Sequence, residues 1–369
     1  DCVQALMLKT RVHILSDGFR SPNARAFAFP LIKHRKALED KGIEIIFFKR
    51  VSSTLTECDV LIVDSKYFHG PTLGETDFIL SHLENWRSKC DPLLWFDTTD
   101  SAGWVFGDAI PIVKAYYKNQ LLNDRDRYLE PMYGRRLFSD FYHHHSNITD
   151  ETPAFSPQIL DRSLLKKLHV SWNSGLADYS LSGPTKMAAY QRLPFARLLS
   201  WPSNWKDPRT HRLTPVSCRF GVSYEHMTVA YQRIAIQREL AGILQTKKLD
   251  RRSYLRELAT SKLVISPFGL GEITLKDFEV FMSGALLVKP DMSHMTTWPE
   301  LFLDEVTMVA FDWDLKDLKN KIERALKRKE QSLQIASTGQ AHYRKYLNDT
   351  TGEKIFVSRF HAIIEDGLT

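Results

Sequence analysis

Residues 261–297 read SKLVISPFGLGEITLKDFEVFMSGALLVKPDMSHMTT. Leu263, Val264 and Ile265 form a short apolar run biased to β-branching, which suits a strand buried on both faces. Ser266 to Gly271 break the pattern with one proline and two glycines. From Ile273 to Ser283 the apolar residues Ile273, Leu275, Phe278 and Met282 fall near helical spacing with charge between them. Gly284 stands where a helix stops, and Ala285 to Val288 make a second strand closed by Lys289, Pro290 and Asp291. Strand, glycine loop, helix and strand in this order predict a backbone-lined anion site. Main-chain N–H groups of the loop can approach a ligand, and the helix N-terminus adds its positive dipole end. Lys276, in the first turn, could support a phosphate, and Glu272 and Glu279 could hydrogen-bond sugar hydroxyls. A strand–helix–strand unit whose glycines only turn the chain is the alternative.

Working outward, the same alternation recurs. Arg11–Ser16, Ile43–Phe48, Asp59–Asp64 and Pro92–Phe96 read as strands, with helices over 25–41 and 76–86. Such alternation implies a parallel sheet, whose ligands gather outside the carboxyl ends of the strands. Asp17, Ser65, Asp97 and Asp100 fall at those ends. No GxGxxG follows the first strand, which argues against a dinucleotide cofactor. Further helices are expected over 110–124, 160–172 and 186–199, with an irregular boundary at 153–157 and a linker at 202–208. A second unit opens with a strand at 216–222 and helices over 229–244 and 252–259. It continues past the central stretch with a strand at 308–311 and helices over 317–328, 337–347 and 354–364. No internal repeat or low-complexity tract is visible.

Two domains suit 369 residues. With 43% hydrophobic and 25% charged residues, the composition is that of a globular protein with material for two cores. The formal net charge of +6 fits a phosphate-bearing substrate, an anionic membrane face or nucleic acid. Cys2, Cys58, Cys90 and Cys218 are widely spaced without a CxxC pair, which argues against a structural zinc and a disulfide scaffold and fits a reducing setting. No run approaches the roughly twenty apolar residues of a membrane span, and the first residues lack the form of a signal peptide. A cytoplasmic location, peripheral to the inner face of a membrane, is the expectation.

The organising stretch resembles the donor-binding half of GT-B glycosyltransferases, in particular the group-1-like set that includes CgeB-type proteins. The residues that carry the resemblance are Ser266-Pro267-Phe268-Gly269, Gly271-Glu272, Phe278-Glu279, Ser283-Gly284-Ala285 and Val288-Lys289-Pro290. The resemblance covers about the last third of the chain. It implies two Rossmann-like domains with parallel sheets facing across a cleft. The boundaries expected are 1–205 for an acceptor domain, 206–350 for a nucleotide-sugar domain, and 351–369 for a helix crossing back to the first. Glu279, five residues before Gly284, matches the ribose-binding glutamate of retaining members. The earlier glutamate of that pattern is replaced by Gly271, with Glu272 one residue on, so a retaining outcome is not implied.

Transfer of a sugar from a nucleotide donor needs a cationic or N–H-rich site for the departing phosphate, groups that orient sugar hydroxyls, and in an inverting reaction a base. The resemblance implies that no metal and no cofactor are required. Arg219 at the end of a strand is the leading cation, with Lys262 and Lys276 as others and Gly269 and Gly271 in the loop. An ion pair is the alternative role for Arg219. Asp100 and Asp97 are candidates for the base, with Asp17 and His69 behind them, and Glu272 could touch the donor sugar. The basic, tyrosine-rich segment with Arg125, Arg135 and Arg136 suggests an anionic or membrane-proximal acceptor: a glycan, a lipid-linked intermediate or a protein. Consecutive His143, His144 and His145 cannot readily face one metal ion. Sugar transfer to a DNA base and a silent nucleotide-sugar-binding scaffold are the competing readings, although nucleic acid is not the expected partner.

Overall fold

The computed structural model describes residues 9–18, 20–68, 75–155 and 159–369. Cys2, His69 and Pro157 lie outside the described residues. The first unit runs β1 (Thr10–Leu15), α1 (Pro22–Lys33), α2 (Arg35–Glu39), β2 (Ile43–Phe48), β3 (Val60–Asp64), α3 (Thr76–Arg87), β4 (Leu93–Asp97), β5 (Ala115–Lys118), β6 (Gln120–Leu122), α4 (Leu137–Ser146), β7 (Leu168–Val170) and α5 (Gly183–Tyr190). The second runs β8 (Thr214–Ser217), α6 (Met227–Glu239), α7 (Arg251–Thr260), β9 (Ser261–Ile265), α8 (Leu275–Ser283), β10 (Leu286–Pro290), β11 (Met295–Thr297), β12 (Val309–Phe311), α9 (Leu318–Lys327), α10 (Lys329–Arg344) and α11 (Thr351–Leu368).

Six strands form one sheet in the order β2-β1-β3-β4-β5-β7 and four form another in the order β12-β10-β9-β8. Every pairing within both is parallel. The chain is thus an α/β protein of two Rossmann-like units with parallel sheets, the fold class expected above. Parallel strands covered by helices are apolar on both faces, and β3 and β4 are buried at every position.

The units are joined by specific contacts. β6 pairs antiparallel with β11, placing Leu122 against Met295 and Gln120 against Thr297. On α4 and α6, Gln232 Nε2 donates to the Tyr142 hydroxyl at 2.7 Å, which itself donates to the Trp313 carbonyl at 2.9 Å. The Asp150 carboxylate accepts from the Thr228 N–H and hydroxyl, each at 2.8 Å. α11 packs on α2 and β3, with Glu353 3.2 Å from His34 and Phe356 edge-on to Trp172. One apolar cluster runs from Val12 through Phe278 to Ile364, so the units share a core, and a second fills the space between the smaller sheet and α9 and α10.

Three helix expectations are corrected. Residues 110–124 contain β5 and β6, because Ala115, Tyr116, Tyr117 and Lys118 are all buried at a sheet position that local propensity does not reveal. Over 160–172 the chain makes a short 3₁₀ turn at Arg162–Lys167 and then β7. In 186–199 the helix ends at Tyr190, short of Leu193, which precedes Pro194 and is therefore disfavoured in the α region. The expected helix over 25–41 divides at His34 into α1 and α2.

Candidate functional site

The central stretch folds as read: β9, a loop, α8 ending at Gly284 with φ +67°, and β10. Its chemistry differs from the expectation. Two of the loop N–H groups are bonded within the protein, Phe268 N to Gln232 Oε1 and Gly269 N to the Gly271 carbonyl, both at 2.9 Å. A Cβ on Gly271 would lie 1.8 Å from the Asp100 carbonyl oxygen, so this glycine serves the contact between the two units. The N-terminus of α8 already carries a carboxylate: Asp277 accepts from Thr274 N at 2.8 Å and from the Ser266 hydroxyl at 2.6 Å. Lys289, fully buried, balances it at 3.0 Å. Gly271 thus serves the packing of the two units, and the N-terminus of α8 already holds a carboxylate.

The cationic site lies beside it. Arg219, Phe220 and Gly221 follow β8, Arg233 comes from α6, Lys248 precedes α7, Tyr254 sits on α7, and Lys276 and Glu279 belong to α8; together they line a cavity of ≈240 Å³. Lys276 donates to the Arg219 carbonyl and stands over the Phe220 ring at 5.6 Å. Burial, and then the nearby Arg233, push its ammonium down to about 8. Arg233 donates to the carbonyls of Phe268 (2.6 Å) and Gly221 (3.0 Å) and lies 5.0 Å over the Tyr224 ring. Lys248 is exposed, and its side chain covers Gly221. Arg219 reaches the cavity, but its Nε and Nη2 both donate to Glu257 at 2.9 Å, so much of its charge is neutralised. The expected Arg219, Lys276 and Glu279 do converge, and the ion-pair role also holds for Arg219.

Glu279 is buried and accepts from Arg251 Nη1 at 2.7 Å. Burial raises its carboxyl above the usual range, against the lowering effect of Arg251. Arg251 also donates to the carbonyls of Tyr179 (3.1 Å) and Ser180 (3.0 Å), tying α7 to the first unit. Lys262 is exposed on β9 and lines a different cavity, so it does not join this set.

At the junction of the units the candidate carboxylates separate. Asp97 is fully buried and accepts from the Tyr116 hydroxyl at 2.6 Å and Lys118 Nζ at 2.9 Å. Burial alone would raise its carboxyl, but the buried Lys118 and these hydrogen bonds hold it below the ordinary value. It is a sealed ion pair rather than a base. Glu272, expected at the loop mouth, is also fully buried; it accepts from Ala102 N at 3.0 Å and from the Ser101 hydroxyl at 3.3 Å. His294 lies 3.9 Å from it, and both its ring nitrogens are buried without a hydrogen-bond partner among the described residues. Asp100 is half-buried, and Asn23 Nδ2 donates to its Oδ1 at 2.9 Å. Asp17 is buried near Asp64.

The three arginines expected to form one acceptor surface have separate partners. Arg136 donates to the Leu270 carbonyl at 2.6 Å and clamps the units together. Arg135 donates to the Phe155 carbonyl at 3.3 Å, and Arg125 lies half-buried beside Tyr128. The histidines of α4 also diverge: His143 stacks on Tyr133 at 3.8 Å, His144 faces Asp140, and His145 stacks on Phe141. Among the described residues, no group of three or more His, Cys, Asp or Glu side chains is placed to hold a metal ion. No helix among the described residues is long and apolar enough to cross a membrane.

No protein-family model and no curated protein matches the chain. Among solved structures, it is similar to HepE of Anabaena in complex with UDP-glucose, at 13% identity and TM-score 0.45, covering 96% of this chain and 100% of that one. It is similar to a glycosyltransferase from Rickettsia africae at 8% identity and TM-score 0.46, covering 98% and 99%. A UDP-forming trehalose-phosphate synthase from Burkholderia xenovorans aligns at 11% identity and TM-score 0.45, covering 98% and 100%. The architecture itself is read from the chain's own strand order.

Sequence reasoning missed Arg233, Lys248, Tyr254 and Arg251 as members of the site. Arg251 and Tyr254 lie in the first turn of α7, Lys248 in the loop before it and Arg233 in the second turn of α6, positions that no sequence motif marks.

Proposed function

We propose that the protein is a glycosyltransferase that takes the diphosphate of a nucleotide sugar in the pocket of Arg219, Arg233, Lys248 and Lys276 and passes the sugar to a glycan, lipid-linked or protein acceptor. The observation that carries this reading is the convergence of four cations, one buried carboxylate and two aromatic rings on one cavity beside the carboxyl end of β8. At ≈240 Å³ it is smaller than the roughly 300–1,000 Å³ of a cleft that encloses a whole drug-sized ligand. In this reading phosphates and ribose enter, and the rest of the donor extends over the rim. Glu279 holds the ribose, and the rings of Phe220 and Tyr254 give it apolar walls.

In the transfer the bond from the anomeric carbon to the phosphate oxygen breaks, and one from that carbon to an acceptor oxygen forms. The electron pair of the broken bond stays on the nucleoside diphosphate, where Lys276, Arg233 and Lys248 offset the charge without a metal. The acceptor proton goes to a base, for which Asp100 is the half-exposed carboxylate at the junction of the units. Residues 1–205 would hold the acceptor, 206–350 the donor, and 351–369 would fasten the second domain to the first. The cytoplasm is the compartment that supplies such a donor, and the net positive charge suits an acceptor at an anionic membrane face.

A second reading, donor binding without turnover, is favoured by the burial of Asp97 and Glu272. A thermal-shift panel of UDP, GDP, CMP and ADP with their sugars, with and without magnesium, tests donor binding, because a ligand of the folded state stabilises it by RT ln(1 + [L]/Kd). A shift that is lost in Lys276→Ala and Glu279→Ala is expected; no shift with any donor contradicts the proposal. Release of nucleoside diphosphate then separates turnover from silent binding.

A further inference from the structure

The second cavity is at the opposite end of the smaller sheet, at the amino ends of β9 and β10, and its volume is ≈330 Å³. Its lining is of two kinds. Leu263, Leu286, Leu326 and Leu333 make an apolar floor and wall. Arg209, His211, Arg212, Lys262 and Lys329 are its charged or titratable members, and no acidic side chain lines it among the described residues. Arg209, His211, Lys262 and Lys329 are exposed and make none of the ion pairs found among the described residues.

Arg212 is the unusual member. It is 7% exposed, and its guanidinium donates to the carbonyls of Ser283 (2.8 Å), Ser261 (3.0 Å), Ala259 (3.2 Å), Pro208 (3.3 Å) and Asp207 (3.3 Å). Carbonyl dipoles satisfy its N–H groups, but no carboxylate bonds to it. The nearby Asp207 side chain accepts from Arg209 N at 2.9 Å instead. The nearest carboxylate, that of exposed Asp207, acts on this buried cation only through space, and the cation adjoins an open cavity with a basic rim and apolar walls. A neutral apolar ligand would leave the basic rim of Arg209, Lys262 and Lys329 unpaired, and a small inorganic anion would leave the leucine walls wet.

We propose that this cavity binds an anionic amphiphile: a phosphate or carboxylate head against Arg209, Lys262 and Lys329, and a short aliphatic chain over Leu263, Leu326 and Leu333. The inference is independent of the donor pocket, which lies at the other end of the sheet. The test is calorimetric titration of the full chain with octyl phosphate below its micelle concentration, beside octyl glucoside and inorganic phosphate. Octyl phosphate should bind at least tenfold tighter than either control. The double variant Lys262→Glu, Lys329→Glu, on two exposed side chains, should weaken it at least tenfold while leaving the unfolding temperature and the nucleotide response unchanged.

Equal binding of octyl glucoside, equal binding of phosphate, or an unaffected double variant overturns the proposal, as does no binding of octyl phosphate at millimolar concentration. Should the double variant fail to fold, the three-ligand comparison on the wild-type chain decides alone. Sedimentation with phosphatidylglycerol and phosphatidylcholine vesicles distinguishes the source. Charge-dependent retention that the double variant loses assigns a bilayer lipid, and octyl phosphate binding without retention assigns a free amphiphile.

Discussion

Substitution of Lys289 by methionine tests how α8 is held in place. Lys289 and Asp277 are both fully buried, 3.0 Å apart, and Asp277 also anchors the first turn of α8 through Thr274 N and the Ser266 hydroxyl. Lys289→Met keeps nearly the same shape but leaves Asp277 as a buried charge with neutral donors only. Removing one partner of a buried pair costs about 3–5 kcal/mol. At roughly 2–4 °C per kcal/mol for a unit of 150–250 residues, the unfolding midpoint should fall by about 6–20 °C. The double variant Asp277→Asn, Lys289→Met removes both charges and keeps a capping oxygen, so it should recover most of the loss. Differential scanning calorimetry of wild type, single and double variants reads this directly. A single variant within about 2 °C of wild type, or a double variant as unstable as the single, would refute the role given to the pair.

Other expectations concern pH and the unit junction. If Lys276 must be protonated to hold a phosphate, and its value in the free protein is about 8, nucleotide affinity should weaken above pH 8 by up to about tenfold per unit. Lys276→Arg should flatten that dependence in a calorimetric pH series, and a slope that persists in this variant counts against the assignment. Asp64 is fully buried, and burial, opposed by hydrogen bonds from Lys66 N, Ser16 and Thr98, pushes its carboxyl up to about 6. The native state then binds more protons than the unfolded chain between about pH 4 and 6, so this group's contribution to stability falls as pH rises through that window, by up to about 3 kcal/mol. Asp64→Asn should remove the fall and be more stable at pH 8 by urea unfolding; a less stable variant with the fall intact contradicts this. Gly271→Ala places a Cβ 1.8 Å from the Asp100 carbonyl oxygen and should cost about 1–3 kcal/mol by overpacking. Wild-type thermal stability in Gly271→Ala would show that the junction is looser than described.

The fold was largely legible because its strands are short β-branched runs between helical periods, as in Val60–Asp64 and Leu263–Ile265. Tyr116 to Lys118 were not, since their lysine-rich surroundings read as helical and only the pairing of β5 with β4 makes a strand of them. The site divides in the same way. Glu279 and Lys276 follow from helix phase, so the sequence placed them together. Glu272 and Asp97 carry the right chemistry, but Ala102 N, Ser101, Tyr116 and Lys118, which bury and satisfy them, come from elsewhere in the chain. The glycine loop shows why spacing alone misleads: Gly271 answers to the backbone of Asp100, and no local pattern records that contact.

Whether the cation pocket or the glycine loop receives the donor can be read from hydrogen–deuterium exchange with and without the nucleotide sugar that gives the largest thermal shift. Protection is predicted at 219–221, 248–254 and 275–279, and it should disappear in Lys276→Ala. Protection confined to 266–271, or unchanged exchange at a saturating donor concentration, would contradict the account.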